Sequence, residues 1–344
     1  MVHCLASVGT RVLGVLGVLS LASGICAAEA SAADLPVELG GFVDGQAQAS
    51  TAVDSIRGFM VNDGALYLSK TVQSVTFLID MPFRLVQAGT PNLEFAAVKA
   101  QAFVGQQFKN GFRWKVGQFD TSYGLEANDT VAVPFTRQGN VYNFTDPFVH
   151  LGFQAGYDFA ETYAVNLLVA SPSDSGTLGP SKRPQMGLQL VKSGDRRFSI
   201  GALVTALPGL DRYSYYGDMT AGLTLGRVLL DAEVNVQKRV GEKTADGKAL
   251  PLGVGSLAQV LVQVTRKLSA GVRGEFISSL SHRDPRANVL DEYLKYQTLV
   301  FVGPQYRLHQ SLVVKADYSL QLDQKFSGQE DTIHGVQASA VYKF

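Results

Sequence analysis

The last ten residues, Gly335–Phe344, read GVQASAVYKF, and they decide how the rest of the chain is read. In an extended strand successive side chains point to opposite faces. Val336, Ala338, Ala340, Tyr342 and Phe344 then share one face, and Gln337, Ser339 and Lys343 the other. Soluble domains commonly end in a polar, frayed tail. This chain instead ends on an aromatic, inside an alternating strand.

The same period recurs along the chain. In VLLDAEVNVQ, residues 228–237, Val228, Leu230, Ala232, Val234 and Val236 oppose Asp231, Glu233, Asn235 and Gln237. LAQVLVQVT (257–265), LSAGVRGEF (268–276) and LVVKADYSLQ (312–321) repeat the pattern, with hardly any helical periodicity between them. The alternation marks sixteen strands: 38–50, 57–69, 74–84, 93–106, 111–120, 147–159, 162–171, 182–191, 197–206, 214–224, 228–239, 254–265, 268–279, 293–307, 311–321 and 332–344. Fourteen is the alternative count. Most exceed the usual five or six residues of a globular strand and match the roughly 9–11 needed to cross a bilayer at a tilt.

The connections alternate too. Short ones (70–73, 107–110, 160–161, 225–227, 266–267, 308–310) alternate with long ones (172–181, 240–253, 280–292, 322–331). That is the layout of an up-and-down antiparallel barrel with tight periplasmic turns and longer outer loops. A β-sandwich would use shorter strands, and a lipocalin-like barrel only about eight. Closure also removes the open edges that a bilayer forbids. The expected fold is therefore all-β, a transmembrane barrel with both termini on the periplasmic side. Its final strand pairs with the first, and Tyr342 and Phe344 lie in an aromatic girdle. A terminal Phe after alternating apolar residues also resembles the signal that barrel-assembly machinery recognises.

The N-terminal end fits export. Arg11 precedes a 14-residue apolar run, VLGVLGVLSLASGI, and small residues then offer cleavage after Ala28 or Ala32. This reads as a signal peptide over residues 1–28, followed by a short segment 29–37 and the barrel over 38–344. A lipid-modified Cys26 is disfavoured because Ile25 precedes it. Both cysteines, Cys4 and Cys26, fall in that leader, so no disulfide is expected in the barrel. The 30 basic and 30 acidic residues balance, which points away from nucleic acid.

One region is more specific than the general pattern. FRWKVGQFDTSYGLEAND (112–129), VPFTRQGN (133–140) and PFVHLGFQAGYDF (147–159) resemble the OmpL-like β-barrel porins of Gram-negative bacteria, as does FMVNDGALYLSKTVQSVTFLIDM (59–81). The resemblance implies a passive outer-membrane channel and carries no catalytic residues.

The connection 121–146 breaks the series by its length of 26 residues. Loops of more than about 15 residues are usually functional or disordered. Tyr123, Val131, Val133, Pro134, Phe135, Tyr142 and Phe144 make this one apolar enough to pack against something, either inside the lumen or on the rim. As a constriction it would bring Asp120, Glu126, Asp129, Asp146 and Arg137 opposite the inward Arg84, Lys99, Arg113 and Lys115 of the preceding strands. Charges facing across a narrowing set ion selectivity. Inward Arg273, Lys295, Lys315 and Lys343 raise the bases to eight, against Asp80, Asp231, Glu233, Glu275 and Asp317, a small excess that leans towards anions.

No catalytic residue, metal ligand set or cofactor motif emerges. His150, His282, His309 and His334 are scattered without metal spacing. Gly253-Val254-Gly255 has no following helix to bind phosphate. The expectation is a porin passing small hydrophilic solutes and ions, in contact with outer-membrane lipids and the assembly machinery, alone or as a homotrimer. A substrate-specific channel and a structural or adhesive barrel are the alternatives.

Overall fold

A computed structural model describes residues 37–344 except 52–57, 87–91, 96–99, 127–128, 146, 148, 172–183, 207–212, 242–251, 279–293 and 326. The expected signal peptide lies outside the described residues.

The strands are β1 (Glu38–Ser50), β2 (Gly58–Val72), β3 (Val75–Val86), β4 (Asn92–Phe95), β5 (Gln101–Gln107), β6 (Phe112–Asp120), β7 (Val149–Ala160), β8 (Tyr163–Ser171) and β9 (Gln185–Lys192). They continue as β10 (Arg196–Ala206), β11 (Tyr213–Leu225), β12 (Val228–Val240), β13 (Gly253–Gln263), β14 (Leu268–Ser278), β15 (Leu294–His309), β16 (Leu312–Lys325) and β17 (Glu330–Lys343). Adjacent staves pair antiparallel, and β1 pairs with both β2 and β17, so the sheet closes on itself. Both β4 and β5 pair with β3, as two successive pieces of one stave. The result is a closed sixteen-stave barrel.

The alternation explains which side faces where. Along β12 the buried residues are Asp231, Glu233 and Asn235, and the intervening Ala232, Val234 and Val236 are exposed. In a water-soluble protein this order would be reversed. Here the exposed apolar face, continued by Leu167, Val169, Met186, Leu188, Ile200, Met219 and Val272, surrounds the outside of the barrel. The polar face lines the lumen. Charge on the outer face would cost about 2–4 kcal/mol at the bilayer midplane, which fixes the register of every stave.

Tight connections lie at one end, the turn end: 73–74, 108–111, 161–162, 193–195, 226–227, 264–267 and 310–311. The 73–74 and 226–227 turns need left-handed backbone, taken by Gln73 at φ 57° and Gly226 at φ 58°. Both ends of the described chain meet at this same end. Val43 pairs with Tyr342, and Gly41 and Phe344 exchange backbone hydrogen bonds of 3.0 Å each way. The Tyr342 and Phe344 rings lie 6.3 Å apart.

Candidate functional site

The described residues between β6 and β7 (121–126, 129–145 and 147) do not project from the barrel. They cross its lumen. The segment leaves β6 at Asp120, makes a 3-10 turn at Thr130–Ala132 and a short helix α1 at Asn140–Thr145, and re-enters the wall at β7.

Its backbone is irregular, so its N–H and C=O groups need partners that a helix or sheet would otherwise supply. Inward side chains of the wall provide them. Gly124 N–H donates to Asp218 at 3.2 Å and Leu125 N–H to Glu233 at 2.8 Å. Thr130 N–H reaches Asp63 at 3.3 Å, and Thr136 N–H reaches Asp317 at 2.8 Å. Asn140 and Val141 N–H both donate to Glu275 Oε2, at 2.6 and 3.1 Å. The carbonyls are met from the same wall: Lys315 Nζ donates to those of Thr130, Val133 and Phe135 at 2.7, 2.5 and 3.2 Å. Gln46 donates to the Thr136 carbonyl at 3.3 Å, and the Thr136 hydroxyl donates to Gln337 at 2.8 Å. The connection is thus tied to β1, β2, β11, β12, β14, β16 and β17.

Apolar anchors accompany the polar ones. Tyr123 packs among Phe119, Leu168, Ala170, Leu203 and Tyr216, and its hydroxyl donates to the Ala202 carbonyl at 3.4 Å. Burial, and then Asp218, push that hydroxyl above an ordinary phenol, so it stays protonated. Val131 lies against Phe42, Ala65 and Val341, Phe135 against Leu299 and Phe301, and Val141 against Leu257 and Ile277. These wall residues point inward, where the general pattern demands polar side chains. They occur where the connection touches the wall.

Arg273 of β14 is fully buried where the segment meets the wall. Its guanidinium pairs with Glu126 at 2.5 Å and Glu275 at 2.9 Å, and lies beside the adjoining rings of Phe135 and Phe301 at 4.7 and 4.5 Å. Glu126 also accepts the Gly139 N–H at 2.7 Å. A Cβ on Gly139 would collide with the Glu275 carboxylate, so only glycine lets the backbone pass there.

The charged residues singled out from the sequence are distributed differently from a basic wall facing an acidic loop. Glu126 is held by Arg273, and Asp129 accepts the Tyr67 hydroxyl at 2.6 Å. Arg137 stacks over Phe301 at 5.2 Å, and its carbonyl accepts from Arg273 at 3.5 Å. The backbone N–H of Asp120 donates to Gln101 at 3.0 Å. Arg113 pairs instead with Asp158 and bonds Asn166 at 2.7 Å, and Lys115 lies over Phe119 at 4.2 Å. The side chain of Arg84 and the whole of Lys99 and Asp146 lie outside the described residues. The reason for the difference is the path: the connection runs away from β6 to the far wall, and its acids find partners there.

The wall residues that do hold the segment, Asp218, Glu233, Glu275, Asp317, Arg273 and Lys315, were not singled out as its partners beforehand. Their visible signal is an apolar residue at inward phase beside them. Tyr216 shares parity with Asp218, and Ile277 with Arg273 and Glu275.

The segment does not fill the lumen. On its turn-end side it leaves a cavity of about 420 Å³ against β5–β8, lined by Arg113, Lys115, Gln154, Asn166 and Ser122. A second cavity of about 320 Å³ lies against β11–β15, where Pro134 of the segment meets Leu229, Leu261, Gln263 and Ser269. Among the described residues no cluster of His, Cys, Asp and Glu suits a metal ion, and no helix is long and apolar enough to cross a membrane.

A family model described as "Putative beta-barrel porin-2, OmpL-like" matches residues 37–344. No curated protein matches the sequence. Among solved structures the chain is similar to the outer-membrane channel DcaP of Acinetobacter baumannii, with TM-score 0.64 and 12% identity over 90% of this chain and 97% of that one. It is similar to Salmonella typhi OmpF, with TM-score 0.63 and 11% identity over 90% and 97%. An anion-selective porin from Comamonas acidovorans gives TM-score 0.61 and 13% identity over 90% and 99%. At such identities the likeness is one of fold.

Proposed function

The chain belongs to the OmpL-like β-barrel porin-2 family, and on that premise we propose that it is an outer-membrane channel for small hydrophilic solutes, narrowed by residues 121–148. The family carries the channel role and the outer-membrane location. The observation behind the narrowing is the set of bonds from this one connection to strands on opposite sides of the lumen, Asp63 on β2 and Asp218 on β11 among them. A sixteen-stave barrel without a plug leaves an aqueous channel. With the connection in place, solutes pass around it, through spaces of the size of the two cavities. In this reading passage is passive, as the porin family implies. In this reading the turn end faces the periplasm and carries both termini of the barrel.

Liposomes carrying the protein, swelling in sugars of increasing size, test it. Monosaccharides should enter readily and trisaccharides much more slowly. Equal swelling rates across the series would contradict a narrowed channel.

We further propose that the alternating end of β17, with Tyr342 and Phe344, is the strand offered to the assembly machinery. Deleting Phe344 removes the two-way backbone bond to Gly41 and the ring beside Tyr342. The heat-modifiable, folded form in outer membranes should fall while export continues. Unchanged levels of folded barrel would show the terminal aromatic to be incidental. The barrel lies in outer-membrane lipid, and a homotrimer is the assembly proposed for it. Cross-linking in native membranes would show trimer bands; a monomer alone would contradict this.

A further inference from the structure

We infer that the turn-end half of this channel is a positively charged vestibule that favours small anions, with Lys115 the residue that most sets the preference. The inference rests on the channel reading above and adds the sign of charge that passes.

It follows from where the charges are committed. The acids at the level of the crossing segment are engaged: Asp63, Asp218, Glu233, Glu275 and Asp317 accept its backbone N–H groups, and Glu126 and Glu275 also flank Arg273. Nearer the turns, Asp158 pairs with Arg113 and Asp231 with Arg197. What lines the open space is different. In the two large cavities and a third of about 30 Å³, every ionisable lining residue is basic: Arg113, Lys115, Arg227, Arg266, Lys267 and Arg307. No carboxylate lines any of the three.

Lys115 stands out within the larger cavity. Arg113 has its charge paired directly with Asp158, whereas the Lys115 ammonium, with Asp120 within electrostatic reach, sits over the Phe119 ring at 4.2 Å and is 5.8 Å from that of Phe103. A ring face holds a cation in place without neutralising it. The neutral donors Gln154, Asn166 and Ser122 complete the lining, so a carboxylate or halide passing here meets donors and a cation. The closely packed backbone of Gly156 helps: a Cβ there would press on the Arg113 guanidinium at 2.8 Å. Glycine therefore keeps this wall flat beneath the cavity.

The test is the reversal potential of single channels in a potassium chloride gradient. The wild type should reverse on the chloride side of zero. Lys115→Gln should move it towards the potassium value, and Lys115→Glu further still. Should Lys115→Glu fail to assemble, Gln154→Glu places an acid in the same cavity and should shift the potential in the same direction. The shifts should shrink in about 1 M salt, where screening shortens to roughly 3 Å. Conducting channels that prefer potassium, or that keep their reversal potential when an acid is introduced, overturn the inference while leaving the channel intact. Absence of any conductance would instead overturn the channel reading on which it rests.

Discussion

Deleting Val131–Asn140 should raise single-channel conductance several-fold. This stretch holds the groups that anchor the segment to β1 and to β14–β17: the carbonyls of Val133 and Phe135, the Thr136 amide and hydroxyl, the Asn140 amide and the Phe135 ring. Without it, the shortened connection keeps only the contacts of Glu126, Thr130 and Val141 on that side. The lumen then approaches that of an unplugged sixteen-stave barrel, which is an open water-filled passage. The barrel itself should still form, because its closure depends on strand pairing and the outward apolar face. Swelling in a trisaccharide should rise with the conductance. An unchanged conductance would mean that solutes already bypass the segment.

The second large effect concerns Glu275. Its carboxylate is 1% exposed, accepts two backbone N–H groups from α1 and flanks Arg273. Removing one partner of a buried charged pair costs about 3–5 kcal/mol, because the other is left uncompensated. Glu275→Ala should fall at the low end of that range, since Glu126 still pairs with Arg273. The loss is felt mainly by the segment, so the expected phenotype is a noisier channel with frequent larger openings and a lower unfolding temperature. Glu275→Gln keeps an acceptor for one amide and should be milder. A Glu275→Ala channel as quiet and as stable as the wild type would show that this contact does not hold the segment.

Much of the barrel was legible because a bilayer simplifies the rules. One face of each stave must be apolar and the other wet, so β12 could be read from VLLDAEVNVQKRV and the closing strand from GVQASAVYKF. Strand ends were harder. The single strand expected over 93–106 is two pieces, β4 and β5, and β16 continues to Lys325, so the loop expected over 322–331 shrinks to 326–329. A turn end is set by local backbone, whereas strand pairing can carry polar residues such as Asp323 and Gln324 well past the apolar band.

The crossing segment was legible in part. Its length and its apolar residues marked it as something that packs. Its partners were not legible, because no local rule connects Glu126 with Arg273, 147 residues apart. Proximity in sequence suggested Arg113 and Lys115 as the opposing bases, but antiparallel staves and a segment running across the lumen bring together residues from distant strands. The inward apolar residues were the missed clue. Leu299 and Phe301 have no reason to face water, and a lumen-facing phenylalanine implies a lid over it.

The described residues between β6 and β7 lie across the lumen and are bonded to the far wall. A short bifunctional thiol reagent tests this directly on Thr136→Cys, Gln337→Cys protein in which Cys4 and Cys26 are replaced by serine. The native side chains meet at 2.8 Å, although 201 residues separate them in sequence. The pair should cross-link efficiently in intact membranes, give a heat-denatured species of altered mobility, and leave conductance unchanged. Failure to cross-link in folded barrels, with both thiols reactive to small reagents, would place the segment elsewhere and contradict the account.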